Sequence, residues 1–555
     1  MQNHEWWPSA VIYQIYPRSF CDSNGDGVGD LAGVTAKLDY VASLGVDAVW
    51  LSPFFLSPMR DFGYDVADHR AVDPVFGTLD DFDRLIQRAH ALGLKVLVDL
   101  VCGHTSDEHS WFRDSRAGRT TPHDDWYVWS DARPDGTPPN NWLSVFGGSA
   151  WTWEPRRRQY YLHHFLASQP TLNLRHPAVI DALVGAAEFW LARGVDGFRL
   201  DAIDFLLHDP QLRDNPARRP ADGVTPLKPF GLQQHVHDMT QAETPELLRR
   251  LRALADRQGG IALLGEMSSQ DGAYERIERY TSAGDALHMA YTLRPMRGSD
   301  AAQSLGRALA EIAAAGEGRG VCWAFSNHDV ERVASRWNPA GPSTAPDPAF
   351  TRLLMAMLLS LRGSVCVYQG EELGLSEAAL ELGDLRDPFG IAYYPEFRGR
   401  DGSRTPLPWR EDAEHAGFTT GRPWLPVPPD HRAASVSAQE ADRRSALNAW
   451  RGLTAWRKAH PALADGDLTL LDLPAPLLGF TRVSPEESLV LVFNPSVHAA
   501  RISLADYPGV AMLEDSGFAA LLDGDVALLP PYGVFIGTLD AAAVTEPQPM
   551  RAVAV

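Results

Sequence analysis

The fold is decided by residues 78–101, which read TLDDFDRLIQRAHALGLKVLVDLV. The first part, Thr78–Leu92, repeats apolar residues at the spacing of an amphipathic helix, with Thr78 suited to the N-cap and Gly93 to the C-terminal stop. The second part, Lys95–Val101, is short and almost wholly apolar, which is typical of a strand that is covered on both faces. A helix that leads directly into such a strand is the repeating unit of an α/β fold with a parallel sheet.

The same strand pattern recurs along the chain and alternates with helical patterns. The predicted strands are Val11–Ile15, Val46–Leu51, Lys95–Val101, Asp196–Asp201, Ile261–Glu266, Leu287–Tyr291, Gly320–Phe325 and Ser364–Tyr368. Eight strands that alternate with helices predict a (β/α)₈ TIM barrel rather than an open sheet.

The alternation breaks after the third and the eighth strand, and these breaks define the predicted domains. The first break is rich in Trp, Gly and Pro, and beyond residue 460 the pattern changes to short strands with turns between them. The predicted division is the first part of the barrel at 1–103, an inserted small domain at 104–172, the second part of the barrel at 173–460 with a loop insertion at 371–440, a C-terminal β-sandwich at 461–540, and a tail at 541–555.

Composition limits the classes of partner. The 555 residues are 45% apolar and 22% charged, which is ordinary for a soluble globular protein. A net charge of −21 argues against nucleic acid and anionic membranes as partners, and agrees equally with a neutral or cationic small substrate and with simple solubility. No apolar run approaches the ~20 residues of a membrane span. No secretory signal is visible, so we expect a cytoplasmic protein; a homodimer is compatible with the sequence.

Charged residues are concentrated where the predicted strands end, which is where catalytic groups project in a barrel of this kind. They are Asp99, His104, Arg199, Asp201, Glu266, His328 and Asp329. Carboxylates that converge from different strands need a positive partner, because an unpaired buried charge costs several kcal/mol. Either a metal ion or a transient cation fits, and Arg199 among the carboxylates argues against the metal.

An oxocarbenium-like transition state explains these residue types better. One carboxylate attacks, an acid protonates the leaving oxygen, and other groups stabilise charge. Arg199 and Asp201 are two positions apart and so point the same way, which would keep Asp201 ionised as a nucleophile. Glu266, near other carboxylates, would have a raised pKa and serve as the proton donor. The alternative is a structural network of ion pairs at the rim of the barrel.

Four short segments resemble the hallmark motifs of glycoside hydrolase family 13, the α-amylase superfamily. They are Asp99-Leu-Val-Cys-Gly-His104, Gly197-Phe-Arg-Leu-Asp201, Gly265-Glu-Met267 and Ser326-Asn-His-Asp329, in the family's order. The resemblance covers roughly residues 5–540. It implies that Asp201 is the nucleophile, Glu266 the general acid/base and Asp329 the stabiliser of the transition state.

The same resemblance implies a set of residues that hold the non-reducing glucose. These are Asp61, Tyr64, His104, Arg199, His328 and Arg400, with Asp61 and Tyr64 in Asp-Phe-Gly-Tyr-Asp and Arg400 in Gly-Arg-Asp-Gly-Ser-Arg-Thr-Pro. Arg400 resembles the arginine that exo-acting members place at the closed end of the pocket. Asp99 is expected to be structural. Singly, His104 or Tyr64 could equally be an ordinary core residue.

A possible metal loop follows the first predicted strand. Its oxygen ligands alternate along the chain, with the candidate ligands Asp22, Asn24, Asp26, the carbonyl of Val28, and Asp30. The twelfth position is Gly33 instead of a bidentate Glu, so an EF-hand is rejected. We expect a structural Ca²⁺ or Mg²⁺, against the alternative of a plain Asx-turn loop. No organic cofactor is expected.

Two features bear on specificity. Gln169-Pro-Thr-Leu-Asn173 resembles the segment that marks the oligo-1,6-glucosidase group, except that Thr171 replaces an acid. Ala202 follows the nucleophile where α-1,6-directed relatives usually carry Val, and this favours α-1,4 linkages. The sequence therefore predicts a retaining, exo-acting α-glucosidase that acts on maltose and short α-1,4-glucosides and transfers glucosyl groups to hydroxyl acceptors.

Two other classes of protein are alternatives to this hypothesis. A sucrose or maltose isomerase, or an amylosucrase-like transferase, would use the same scaffold and the same carboxylates. A non-catalytic relative, such as the glycoprotein subunit of amino-acid transporters, needs a membrane segment and usually lacks the catalytic carboxylates, whereas this chain keeps all three.

Overall fold

The computed structural model describes residues 5–219, 226–269, 271–505, 507, 509–513, 518 and 520–539. Its centre is an eight-stranded parallel sheet, and the prediction of a (β/α)₈ barrel is confirmed. We number its strands β1 to β8 in chain order: β1 Val11–Ile15, β2 Ala48–Leu51, β3 Lys95–Leu100, β4 Gly197–Leu200, β5 Ala262–Met267, β6 Met289–Thr292, β7 Cys322–Ala324 and β8 Ser364–Tyr368. Each overlaps a strand that the sequence predicts.

The sheet closes on itself. Its strand order is β6-β5-β4-β3-β2-β1-β8-β7. A parallel bridge between Ala290 and Val321 joins β6 to the residue before β7, and the Ala290 N–H donates to the Gly320 carbonyl over 2.9 Å. The ring of strands is therefore complete, and the ends that follow each strand meet at one mouth.

Alternation along each strand separates two cores and aims the charged residues inward. Phe198 and Leu200 of β4 pack in the outer core against the helices, and Arg199 between them faces the interior. Trp50 and Leu97 belong to the inner core of the barrel. Because successive side chains of a strand point to opposite faces, this period places polar groups inside at the mouth.

The helices surround the barrel. They span Leu31–Ala36, Leu38–Ser43, Leu79–Ala91, Pro177–Leu191, Thr244–Gln258, Ala273–Thr281, Ala301–Ala315, Val333–Arg336, Pro348–Leu359 and Ala446–Ala459. The helix Leu79–Ala91 begins as the sequence indicates: the Thr78 hydroxyl accepts from the Asp81 N–H, and the Asp81 carboxylate accepts from the Thr78 N–H. This reciprocal cap satisfies two N–H groups that the first turn would leave free.

The residues between β3 and the helix Pro177–Leu191 form a small separate layer over the mouth. Here the strand Gln159–Leu162 pairs on either side with Trp129–Ser130 and Trp151–Glu154, antiparallel in both cases, and a helix spans Ser110–Ser115. Several tryptophans of this layer pack in its core; Trp142 and Trp151, for example, stack with ring centres 6.0 Å apart.

Two other loops at the mouth carry structure. After β2, the strands Phe55–Leu56 and Asp68–Val72 pair and enclose Asp61 and Tyr64. After β8, the predicted loop insertion contains the short helices Pro388–Tyr393, Pro429–Ala433 and Val436–Ala441. Sequence periodicity is too brief in such short helices to reveal them.

The C-terminal region consists of two antiparallel sheets with a core of their own. One contains Asp467–Leu470, Leu478–Val483, Ser488–Phe493, Val534–Thr538 and Ala511–Met512, and the other contains Ala500–Ser503, Val526–Leu529 and Leu521–Asp523. A short helix, Pro461–Ala464, precedes them. The predicted C-terminal β domain is confirmed, and the predicted tail at 541–555 lies outside the described residues. None of the helices in the described part of the chain combines the length and the apolar content that a membrane span requires.

Candidate active site

A single buried arginine organises the carboxylates at the mouth. Arg199 has no exposed surface, and its Nη1 donates to Asp99 Oδ1 and to Asp201 Oδ1, over 2.7 Å in each case. Its Nη2 lies 2.5 Å from Glu266 Oε2. The register of the strands explains this meeting, because β3 and β4 pair with Asp99 opposite Arg199. Three acidic groups from three neighbouring strands therefore share one guanidinium.

Aromatic rings complete the surroundings of Arg199. Its guanidinium carbon lies 4.8 Å from the centre of the Trp50 ring, and its Nη2 donates to the Tyr291 hydroxyl over 3.0 Å. Trp50 Nε1 and the Tyr64 hydroxyl donate to Asp99 Oδ2 over 3.2 and 3.1 Å. Asp99 thus has both oxygens occupied, which agrees with the structural role that the sequence predicts for it.

Burial dominates the acid–base behaviour of the cluster. It raises the pKa of Glu266 to about 7, and Arg199 opposes the shift only in part. It also raises the pKa of Asp201 to about 7 and that of Asp99 to about 6, again against the pull of Arg199. One guanidinium cannot neutralise three carboxylates, so the cluster retains a proton near neutral pH and titrates as a unit.

The turn after Asp201 connects the two central carboxylates. Ala202 adopts the left-handed conformation, with φ 40° and ψ 51°, which is uncommon for a residue with a Cβ. This conformation aims its N–H at Glu266 Oε2, 3.1 Å away. Ala202 is buried beside Phe205 and Met239.

Asp329 lies in a strongly positive environment. Its Oδ1 accepts from Arg404 Nη2 over 2.7 Å and from Arg400 Nη1 over 3.1 Å. Although burial works in the opposite direction, Arg400, Arg404 and His328, which is cationic only in acid, hold the pKa of Asp329 well below its usual range. Asp329 is therefore ionised throughout the neutral range, unlike Asp201 and Glu266.

Arg400 contacts residues of three different segments at the mouth of the barrel. Its Nη2 donates to Asp61 Oδ1 and to Asp387 Oδ1, both over 2.8 Å, and its Nε donates to Asp387 Oδ2 over 3.0 Å. The Phe146 ring lies 5.2 Å from the guanidinium carbon. These contacts join the hairpin after β2, the inserted layer and the loop after β8 into one wall.

The two histidines of the site are neutral. Burial lowers the pKa of His104 to about 4 and that of His328 to about 3. His328 stacks on Tyr64 with ring centres 5.2 Å apart, and its Nδ1 lies 2.8 Å from Gln14 Nε2. His104 Nε2 lies 3.0 Å from the Tyr64 carbonyl. A neutral imidazole has one donor and one acceptor nitrogen, which suits the recognition of sugar hydroxyls.

All nine residues predicted for catalysis and glucose binding belong to one connected network at the mouth. Further members of the network that were not predicted include Gln14, Trp50, Gln169, Tyr291, Asp387 and Arg404. Gln169 Nε2 donates to Asp61 Oδ2 over 3.0 Å. Tyr291 pairs with Glu266 in the register of β5 and β6, and this register is visible only in the structure. Asp387 and Arg404 lie in the aperiodic region after β8, and nothing in their local sequence marked Asp387.

Comparison with known proteins places this network in a family. The model of the α-amylase catalytic domain matches residues 14–466, which include every residue of the network. This chain belongs to the α-amylase family. The family model therefore covers both the barrel and the inserted layer.

Relatives within the α-amylase family narrow the activity. The chain is 50% identical to a probable α-glucosidase of Rhizobium meliloti, over 97% of this chain and 98% of that protein. It is 35% identical to an oligo-1,6-glucosidase of Heyndrickxia coagulans, over 93% and 97%. The crystal structure of the α-glucosyl transfer enzyme XgtA superposes with a TM-score of 0.92 at 50% identity, over 97% of this chain and all of that one. This family member is thus an α-glucosidase-like glycoside hydrolase.

The predicted metal loop is held by its own hydrogen bonds. Asp22 Oδ1 accepts from the N–H groups of Asn24 and Gly25, and Asp22 Oδ2 accepts from the Gly27 N–H and the Thr419 hydroxyl. In the described part of the chain, no three His, Cys, Asp or Glu side chains come together closely enough to hold an ion. The metal stays a prediction.

The raised pKa of Glu266 predicts a stability cost that depends on pH. A folded pKa of about 7 lies above the value of about 4.3 that a glutamate has in an unfolded chain. The contribution of Glu266 to the free energy of unfolding is therefore fully present below that lower value and is lost as the pH rises through the folded pKa. Glu266→Gln, which cannot ionise, is expected to stabilise the fold by roughly 3 kcal/mol at pH 8.

Calorimetry at two pH values checks this expectation. Glu266→Gln should raise the apparent Tm by roughly 5 °C at pH 8 and by much less at pH 5. Glu486→Gln, at an exposed position, is the matched control and should change neither value. An equal or lower Tm for Glu266→Gln at pH 8 would show that burial does not raise the pKa of Glu266.

Proposed function

We propose that this chain is a retaining, exo-acting α-glucosidase that cleaves maltose and short α-1,4-glucosides. The observation that carries the proposal is that Asp201 and Glu266 contact the same guanidinium group. Two carboxylates held this close leave little room for a water molecule between them and favour attack by one carboxylate, with retention of configuration.

In the proposed first step, Asp201 attacks the anomeric carbon and Glu266 protonates the leaving oxygen. The cluster retains a proton near neutral pH, and the step needs it on Glu266. The hydrogen bond from Arg199 supports the ionised form of Asp201. Asp329, kept ionised by Arg400 and Arg404, stabilises the positive charge that develops on the sugar ring.

In the second step, Glu266 acts as a base and activates whichever hydroxyl reaches the glucosyl-enzyme. Water gives hydrolysis, and an alcohol or a sugar gives glucosyl transfer. The similarity to an α-glucosyl transfer enzyme supports the second outcome for this chain. The buried ion pairs of Arg400 with Asp61 and Asp387 support exo action. If they close one end of the pocket, only a terminal glucose can occupy that end.

The proposal predicts the products and the roles of the two carboxylates. NMR of maltose hydrolysis should show α-glucose as the first product released from the non-reducing end. Asp201→Ala should lower kcat by about 10⁴-fold or more. Glu266→Gln should spare the first step on 4-nitrophenyl α-glucoside, whose leaving group needs no proton, far more than the first step on maltose.

Asp412→Ala, at an exposed position, serves as the control and should retain full activity. Release of β-glucose would contradict the assignment of Asp201 as nucleophile. Formation of an isomer of sucrose or maltose without net glucose release would favour the isomerase alternative.

Ala202 predicts the choice of linkage. A valine at this position would crowd the leaving-group side of Glu266, and a β-branched residue is disfavoured at positive φ. Ala202→Val is therefore expected to lower kcat/KM for maltose about tenfold and to raise the ratio of isomaltose to maltose cleavage. Ala202→Gly, which relieves the backbone without crowding, is the control. An unchanged ratio of isomaltose to maltose cleavage in Ala202→Val would show that Ala202 does not determine the linkage preference.

We also propose that the Asp22–Asp30 loop binds a structural Ca²⁺ or Mg²⁺, on the strength of its alternating oxygen donors. Removal of the ion with a chelator should lower the apparent Tm by roughly 5 °C, and the correct cation should restore it. Asp26→Ala should abolish both effects. A Tm that neither the chelator nor Asp26→Ala changes would leave the loop as an Asx-turn structure without metal.

A further inference from the structure

His328 is held among aromatic rings at the mouth of the barrel. Its side chain has no exposed surface. The imidazole stacks on Tyr16, with ring centres 5.6 Å apart and planes at 14°, and on Tyr64, with ring centres 5.2 Å apart and planes at 3°. The Trp50 ring meets it edge-on, with centres 6.2 Å apart. The orientation of the imidazole is therefore fixed, and its two nitrogens face different groups.

One nitrogen faces a glutamine of β1. Gln14 is fully buried, and its Nε2 lies 2.8 Å from His328 Nδ1. The same Nε2 donates to Ser52 Oγ over 3.0 Å. Gln14 faces the interior of the barrel, like Ile12 two positions earlier in the strand. One amide group thus links β1 to residues that follow β2 and β7.

The other nitrogen faces the carboxylate of Asp329. His328 Nε2 lies 3.4 Å from Asp329 Oδ2, whereas Arg400 and Arg404 donate to Oδ1. Nε2 is buried and has no hydrogen-bond partner among the residues that the structure describes. Since Asp329 is ionised, a lone pair on Nε2 would face a negative charge, whereas an N–H would be attracted to it. The carboxylate therefore favours a proton on Nε2.

The two contacts agree in only one arrangement of protons. Because burial keeps His328 neutral, its ring carries a single N–H. With that proton on Nε2, Nδ1 has a lone pair and needs a donor, which the NH₂ group of Gln14 supplies. The opposite orientation of the amide would place the Gln14 carbonyl oxygen against Nδ1 and require the proton there. Nε2 would then direct its lone pair towards Asp329.

We propose that Gln14 is a positioning residue that fixes the tautomer of His328 with the proton on Nε2. This N–H then donates to a hydroxyl of the glucose unit that binds beside Asp329. Gln14 acts through His328 and not on the substrate itself. The inference rests on the proposed glucosidase function and deepens it, since it specifies which of the two neutral forms of the imidazole binds the sugar.

The ¹⁵N NMR spectrum of histidine-labelled protein tests the tautomer directly, because protonated and unprotonated imidazole nitrogens resonate far apart. Wild-type His328 should show a protonated Nε2 and an unprotonated Nδ1 at pH 7, with its signals assigned by their loss in His328→Asn. Gln14→Glu exchanges the donor for an acceptor of the same shape and should place a proton on Nδ1. A wild-type spectrum with the single proton on Nδ1 would overturn the proposal, whether or not any variant folds.

A panel of 4-nitrophenyl α-glucoside and its four monodeoxy forms tests the consequence for catalysis. Gln14→Met removes the donor at nearly constant size and should lower kcat/KM for the parent glucoside about fivefold to tenfold. The loss should be much smaller for the one deoxy form that lacks the hydroxyl bound by His328 Nε2. His328→Phe should single out the same deoxy form. A purely structural role for Gln14 would lower activity on every member of the panel alike.

Gln369→Met is the matched control. Gln369 is also a fully buried glutamine and directly follows β8. Its amide bonds backbone groups: Oε1 accepts from the Tyr16 N–H over 2.8 Å, and Nε2 donates to the Ser19 carbonyl over 3.3 Å. Any loss of activity in this variant should be the same for all members of the panel, and His328 should keep its proton on Nε2.

Equal losses across the panel in Gln14→Met would contradict the role of Gln14, as would an unchanged proton distribution in Gln14→Glu. If Gln14→Met failed to fold, Gln14→Glu and the wild-type spectrum would decide. Failure of the wild-type enzyme to cleave any of these glucosides would instead overturn the proposed function. The NMR spectrum would still decide the tautomer of His328, since it needs no substrate.

Discussion

The Arg199 guanidinium is wholly buried and contacts Asp99, Asp201 and Glu266 directly, and the rest of the site is arranged around these contacts. An arginine without anions, or three carboxylates without a cation, would be prohibitively costly at this depth. The four charges therefore have to be assembled together. Only a sheet that brings β3, β4 and β5 side by side in fixed register can do so, which makes the barrel and the charge cluster mutually dependent.

The sequence predicts the parts of the molecule that follow a period. All eight barrel strands could be located because their residues are mostly apolar, and the spacing of Arg199 and Asp201 predicted that the two side chains point the same way. The contacts of Trp50 and Tyr291 with the charged cluster could not be predicted. A buried aromatic residue of a strand has the same sequence pattern whether it packs in the core or contacts a catalytic cluster. Asp387 could not be found, because its position depends on contacts with Arg400 across an aperiodic loop.

The two sides of the site differ in how they achieve specificity. The glucose side uses arginines and carboxylates that are already bonded to each other, together with neutral histidines, so it is rigid and nearly uncharged towards the substrate. The site around Asp201 and Glu266 is bordered by the turn after β4, where Ala202 lies beside Phe205 and Met239. Turns and loops that follow strands can change without disturbing the barrel, so relatives with one glucose pocket can differ widely in what they attach to it or remove from it.

The closure of the barrel between β6 and β7 has a mechanical consequence. β6 pairs with β5 at four positions, whereas the described contact on its other side is the Ala290–Val321 bridge. We expect the cylinder to be more compliant along this line than elsewhere, because β6 has fewer backbone pairings towards β7 than towards β5. Since β6 carries Tyr291, which binds Arg199, any shift of β6 is transmitted to the central guanidinium. The stiffness of the catalytic cluster is thus expected to depend in part on the Ala290–Val321 bridge, where the barrel closes.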